Sequence, residues 1–154
     1  MATKLRMRLF HIWFLLTRPM TLGVRALAFD AQDRVLLVKH TYVDGWHLPG
    51  GGVETGETAM VSLARELSEE ANVEVAPGTA PTLFGVYHNR TSSPRDHVVV
   101  YVYKDVAQNA PKLADREIVD ARFFAVDDLP ADTSPATRRR ITEHLSGSAP
   151  ADLW

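Results

Sequence analysis

Residues 51–73 read GGVETGETAMVSLARELSEEANV, and the second half of that stretch sets Glu66, Glu69 and Glu70 close together with Arg65 beside them. The spacing predicts a helix, capped by Thr55 or Thr58 and running to about Ala71. Met60, Leu63, Ala64, Leu67 and Ala71 recur at helical intervals and cover an arc of about 100°, the width of a buried stripe. The three glutamates cover a neighbouring arc of similar width. Like charges three and four residues apart cost about 0.2–0.5 kcal/mol per pair, so local physics disfavours the crowding. A bound cation and a plain solvated face both fit at this point. Asn72 falls where the helix ends, and asparagine tolerates the left-handed backbone of a C-terminal cap.

Outward from the helix, three consecutive glycines, Gly50 to Gly52, follow Pro49. They mark irregular backbone that comes close to something. Before them, TLGVRALAFD (21–30) alternates like a strand, and VLLVKH (35–40) is apolar enough for burial on both faces. The intervening turn predicts that these two form a hairpin. A short strand is expected at Trp46–Leu48. After the helix, strands are expected at 73–75, 82–90, 97–106 and 121–126, with 82–90 and 97–106 antiparallel. Residues 108–117 read as a polar loop. A last helix over 134–145 is capped by Ser134 and opened by Pro135, with Ile141 and Leu145 facing inward. Strands mixed with two or three helices make an α/β domain with a mixed sheet.

The totals agree with one domain. The chain has 154 residues, 45% hydrophobic and 23% charged, with a formal net charge of −2 and no cysteine. That length can bury a real core. The charge gives no pull toward nucleic acid, and none is expected as a partner. Disulfides and cysteine-held metals are excluded. None of the six histidines pairs in a zinc-binding HExxH. A cytoplasmic protein is expected.

Residues 1–20 stand apart. LFHIWFLL, residues 9–16, lies between basic residues, and there is no acid before Asp30. Eight apolar residues cannot span a bilayer, which takes about 20. A secretory signal would need a small-residue cleavage site, and TRPM follows instead. Peripheral membrane contact through an interfacial helix is a second reading. The reading adopted is a helix laid across the domain or a partner, which makes a homodimer plausible. The expected organisation is a basic and apolar helical extension over 1–20, a domain over 21–146 and a tail over 147–154.

The glycine loop and acidic helix, taken as one unit, resemble the Nudix box: Gly, five residues, Glu, seven residues, Arg-Glu, an aliphatic, any residue, Glu-Glu, any residue, Gly, an aliphatic. Gly51, Glu57, Arg65, Glu66, Leu67, Glu69, Glu70 and Val73 match. Asn72 stands in place of the last glycine, the cheapest exchange where a left-handed residue is needed. Six positions demand one residue type each, which makes chance agreement on the order of 10⁻⁵. The strand order from about Thr21 to Leu145 is similar to that family as well.

The resemblance implies an α/β/α sandwich with a central mixed sheet. It implies a Mg²⁺-dependent hydrolase, with Mn²⁺ as an alternative, that cleaves a pyrophosphate bond in a small nucleoside diphosphate derivative. Oxygen-only ligands suit such a hard ion, and the ion acidifies water and neutralises charge on phosphate. Glu66, Glu69 and Glu70 are the implied metal ligands, with a carbonyl from Gly51. Glu70 or Glu69 would polarise the water. Arg65 and Glu57 resemble the family's buried orienting pair. Glu117 is the candidate for a further ligand or base, with a loop-end salt bridge as its other reading, and Asp115 is a weaker one. Tyr42 and Trp46 are candidates to stack on a base or ribose, and packing of the loop is the alternative for both. Arg90 and Arg95, flanking a hairpin loop with His88 and His97, are candidates to hold phosphate. His40 and His47 read as ordinary strand residues, and Arg138–Arg140 as a solvated face. The family's markers for ADP-ribose, dinucleoside polyphosphate, coenzyme A and NADH substrates are absent. A non-catalytic sensor on the same fold is the rival function.

Overall fold

The computed structural model describes residues 7, 13–14, 19–75 and 79–154. The helix expected over 1–20, and with it the membrane and dimer readings, falls largely outside the described residues. Among the described residues no helix is long and apolar enough to cross a membrane.

The elements run β1 (Thr21–Ala28), β2 (Val35–His40), β3 (Trp46–His47), α1 (Ala59–Ala71), β4 (Thr82–His88), β5 (Asp96–Tyr103), β6 (Ile118–Phe124) and α2 (Pro135–Ser146). The strands form two three-stranded sheets, in the orders β1-β5-β4 and β3-β2-β6. The first is mixed, because β1 runs parallel to β5 and β4 antiparallel to it. The second is antiparallel. Side chains alternate across a strand, so β2 deals Leu36 and Val38 to one core and Val35 and Leu37 to the other. The first core packs under α1 through Leu63, Leu67 and Ala71, and the second holds Ile141 of α2. Helices therefore cover both faces of the strand layer, the expected α/β/α sandwich. All four apolar residues of β2 are fully buried, each contributing about 1.5–3 kcal/mol relative to exposure.

The expected hairpin of β1 and β2 does not form. The turn between them is tight, with Asp30 accepting from the backbone N–H groups of Gln32 and Arg34 at 3.0 and 2.9 Å. Past it, only an isolated bridge joins Phe29 to Val35. The free edge of β1 is taken by the glycine segment. Ala26 N–H donates to Pro49 O at 2.9 Å, Val24 N–H to Gly51 O at 2.8 Å, and Val53 N–H to Leu22 O at 2.8 Å. With that edge occupied, β2 pairs in the other sheet. The strand expected at 73–75 is reduced to one bridge, Val73 to Gln108.

Helix α1 starts at Thr58, whose side chain accepts from Val61 N–H, and ends on Asn72 at φ 52°. The Asn72 side-chain amide also donates to the Ala110 and Pro111 carbonyls at 3.3 and 3.2 Å. The departure from glycine thus ties the 108–117 loop to the end of the helix. The buried stripe differs from expectation. Met60 is 44% exposed, and the buried residues are Ser62, Leu63, Leu67, Glu70 and Ala71. The helix is rolled so that one acid, Glu70, lies underneath.

The arginine run of α2 is not a solvated face. Arg140 is fully buried, its guanidinium 4.1 Å from the Tyr87 ring centre and its Nη2 donating to Glu143 at 2.6 Å. Arg140 and Arg139 donate to the carbonyls of Leu153 and Trp154, both at 2.9 Å. They hold the expected tail against β4, where His88 N–H donates to Asp152 O at 2.8 Å. Arg140→Ala leaves Glu143 beside an emptied apolar site. It should lower unfolding stability by about 3 kcal/mol, measurable by urea unfolding at neutral pH.

Candidate active site

The box residues come together where α1 meets the glycine segment. Gly50 sits at φ 135°, and a Cβ there would overlap the Val24 carbonyl. The backbone can therefore lie flat on β1 only as glycine. Its N–H then points down at α1 and donates to Glu70 Oε2 at 2.7 Å. One residue on, a Cβ at Gly51 would overlap the Glu66 carboxylate, so Glu66 rests directly on the loop backbone. The Gly51 carbonyl, expected to face a metal, accepts from Val24 N–H and helps hold the loop to β1.

Arg65 answers the like-charge problem within the helix. Its Nη1 donates to Glu66 Oε1 at 2.8 Å and to Glu69 Oε2 at 3.2 Å, while Nη2 and Nε reach Glu57 at 3.3 and 3.4 Å. Ser62 also donates to Glu57 at 2.5 Å, and this bond, then Arg65, holds the Glu57 carboxyl below its ordinary range. The pair expected to be buried is partly exposed, at 28% for Arg65 and 23% for Glu57.

Glu70 is in a different state. Its burial raises its pKa from the ordinary 4.5 to about 7; the Gly50 N–H and Arg25 oppose the rise, and Glu66 and Glu117 add to it. His40, read as an ordinary strand residue, lies 3.6 Å from Glu70 and is buried. Burial, then Arg25 and His47, lower its pKa to about 4. Near neutral pH the imidazole is uncharged, so the approach is not an ion pair.

The loop before β6 brings a fourth carboxylate. Lys112 donates to the Glu69 carbonyl at 2.7 Å, and Asp115 accepts from the N–H groups of Glu117 and Ile118 at 2.9 and 2.8 Å. Asp115 is thereby spent on the turn, and Glu117 is presented to the site. Glu66, Glu70 and Glu117 line a cleft of about 460 Å³ with Arg25 and Tyr42 on its walls. The same three acids and Glu69 line an adjoining cleft. Among the described residues no three acidic or imidazole groups form a ready-made metal centre. The donor set is nonetheless all oxygen and converges from a helix and a loop, and the charges of Glu66 and Glu117 add to the burial that raises the Glu70 pKa. That chemistry suits a hard divalent cation.

Other candidates are placed apart. Trp46 is only 6% exposed and packs edge-on to Phe124 at 4.7 Å in the second core, so it does not reach the cleft. The two-residue strand β3 turns it inward. Tyr42 stays at the rim, 72% exposed and 5.0 Å from the His40 ring. From the hairpin loop it is Asn89, Ser92 and Asp96 that line the cleft. Arg90 lines a neighbouring cleft with Arg139 and Arg140, and Arg95 lines neither. Arg25 and Trp154 are among the cleft residues that the sequence did not single out. Arg25 has a buried Nη1 with no hydrogen-bond partner among the described residues; a lone arginine in an apolar strand was its only signal. Trp154 also lines the cleft, and nothing in its sequence neighbourhood announces it.

A helix-borne row of glutamates under a glycine loop, in a strand layer covered by two helices, defines a class of proteins, and comparison identifies it. The NUDIX domain profile matches residues 19–145, and the chain belongs to that family. The ADP-ribose pyrophosphatase of Methanocaldococcus jannaschii is 33% identical over 108 residues, covering 66% of this chain and 60% of that protein. Diphosphoinositol polyphosphate phosphohydrolase 2 of Rattus norvegicus is 36% identical over 81 residues, covering 52% of this chain and 44% of that one. The chain thus spans about half the length of these curated relatives. Among solved structures, the MutT NUDIX hydrolase of Burkholderia pseudomallei superposes with a TM-score of 0.66 at 25% identity, covering 79% of this chain and 95% of that one.

The raised Glu70 pKa ties stability to pH in the metal-free protein. Below about pH 4.5 the proton is bound in both folded and unfolded states. Between there and about pH 7 the folded state binds it more tightly, so stability falls as pH rises and levels off above. From pH 5 to 8 the metal-free wild type should lose about 2–3 kcal/mol more than Glu70→Gln. Urea unfolding in chelator at the two pH values checks this, and equal losses would place Glu70 in a wetter site.

Proposed function

We propose that this chain is a divalent-metal-dependent hydrolase that cleaves the pyrophosphate bond of a nucleoside diphosphate linked to another group, by attack of water on phosphorus. The observation that carries this is the convergence of Glu66, Glu69, Glu70 and Glu117 on adjoining clefts beneath the glycine loop. The relatives' names, a pyrophosphatase and a phosphohydrolase, describe the same chemistry. The absence of the sequence marker for ADP-ribose leaves the linked group unassigned.

Glu66, Glu69 and Glu70 would hold Mg²⁺, or Mn²⁺ in its place. That ion would neutralise charge on the pyrophosphate oxygens and lower the pKa of water in the cleft. Arg65 keeps Glu66 and Glu69 oriented from the outer side of the helix and is itself held by Glu57. Glu70, buried against the Gly50 N–H, or Glu69 would polarise the attacking water. Glu117 faces the same cleft from the opposite loop and is the alternative base or a further ligand. Arg25 brings an unpaired donor to the wall and pairs with a phosphate oxygen. Tyr42 flanks the same end. A small-molecule partner and a cytoplasmic setting accord with the net charge of −2 and the lack of cysteine.

The test is product release from a panel of nucleoside triphosphates, ADP-ribose, nucleotide sugars, NADH, coenzyme A and dinucleoside polyphosphates, with Mg²⁺ and then Mn²⁺. Turnover should require the metal. Glu69→Gln or Glu70→Gln should lower kcat by at least about 10²-fold with the fold retained. Tight binding of one compound without turnover would instead favour the sensor.

A further inference from the structure

The cleft continues well beyond its carboxylates. Its floor is the end of the β1-β5-β4 sheet, and the order of neighbours can be followed residue by residue. Gly52 bridges to Gly23 of β1, Thr21 of β1 registers with Asp96 of β5, and His97 registers with His88 of β4. The segment 151–154 then adds alongside β4. Leu153 bridges to His88 in parallel, and Trp154 N–H donates to His88 O at 3.2 Å. Neighbouring strands lie about 4.8 Å apart, so this segment stands about 14 Å across the sheet from β1. The cleft lining follows the same path, from Gly51 through Gly23, Asp96 and Asn89 to Trp154.

Trp154 is held in place. Arg139 donates to its carbonyl, Arg140 donates to the carbonyl before it, and the ring packs edge-on to Tyr87 at 5.7 Å. The buried Arg140 guanidinium lies 5.6 Å from the same ring. The ring is only partly covered. An aromatic wall fixed by two arginines costs a ligand little entropy to use.

A nucleoside diphosphate has one anionic end and one flat aromatic end. Its anionic end belongs with Arg25 and the carboxylate-held cation. We propose that Trp154 is the base-binding wall of this cleft, stacking on the nucleobase while the pyrophosphate lies over the glycine loop. The proposal rests on the nucleotide reading above and deepens it. It assigns nucleotide recognition to a segment beyond the matched domain region and leaves Trp46, buried in the core, with a structural role.

The probes are non-hydrolysable: α,β-methylene nucleoside diphosphates of all four bases, and methylenediphosphonate, which has the same anionic end and no base. Their binding to the full chain with Mg²⁺ is measured by calorimetry for wild type, Trp154→Phe and Trp154→Ala, with thermal unfolding of each. Trp154→Ala should weaken the nucleotide analogues by about tenfold or more, the size of a lost base–aromatic stack. It should leave methylenediphosphonate within about twofold, and Trp154→Phe should keep most of the nucleotide affinity. Equal weakening of both probe types would make Trp154 structural and overturn the proposal. So would a wild type that binds both equally. A wild type that binds the analogues through Trp154 yet hydrolyses nothing in the substrate panel overturns the enzymatic reading alone.

Discussion

A single hydrogen bond organises this molecule: the Gly50 N–H to the buried carboxyl of Glu70, at 2.7 Å. For the bond to form, the loop must lie flat on β1, which the Val24 carbonyl permits only for glycine at position 50. The helix must also roll until one of its acids is underneath. Once the loop occupies the edge of β1, β2 must find its partners in a second sheet. Site and topology therefore meet in the same segment, which three backbone hydrogen bonds hold to β1. The acid that makes the contact is kept near neutrality in its titration because it is buried close to other carboxylates.

The remaining charge is distributed by length and reach. Arg65 spans Glu57, Glu66 and Glu69 at the outer side of α1, so these acids stay paired while Glu70 does not share the cation. Lys112 and Asp115 use their charge to shape the loop that delivers Glu117. At the other end of the cleft, Arg139 and Arg140 are spent on backbone carbonyls. They fasten the segment carrying Trp154 onto β4. The cleft is thus bounded by two independent clamps, one on the acidic helix and one on the closing segment.

Much of this was legible along the chain because local rules sufficed. Thr58, Asn72, Ser134 and Pro135 stand at helix ends for reasons internal to those helices. The two-sided burial of β2 and the antiparallel pairing of β4 with β5 follow from an unbroken apolar run and a short loop. The glutamates were legible as a group because their spacing, with Gly51, Glu57 and Arg65, matches the family's box. Other readings failed where partners are distant. Met60 looked apolar enough to face inward, but the position that the sheet buried was Glu70. Arg138–Arg140 looked solvated, but Arg140 met Tyr87 and the 151–154 segment. Trp46 looked available, but two residues of pairing with β2 turned it into the core.

The sequence by itself determined a mixed α/β domain, because helical period, strand period and end caps act over a few residues, and the spacing of its glycine and acidic residues carried the NUDIX resemblance that implied the sandwich. Only the tertiary structure decided which carboxylate is buried, whether Glu117 reaches the cleft, and which aromatics line it. Those outcomes depend on which strand edge is already occupied and on contacts between residues far apart in the chain. Short-range spacing cannot encode them, since each is set by what the rest of the fold brings alongside.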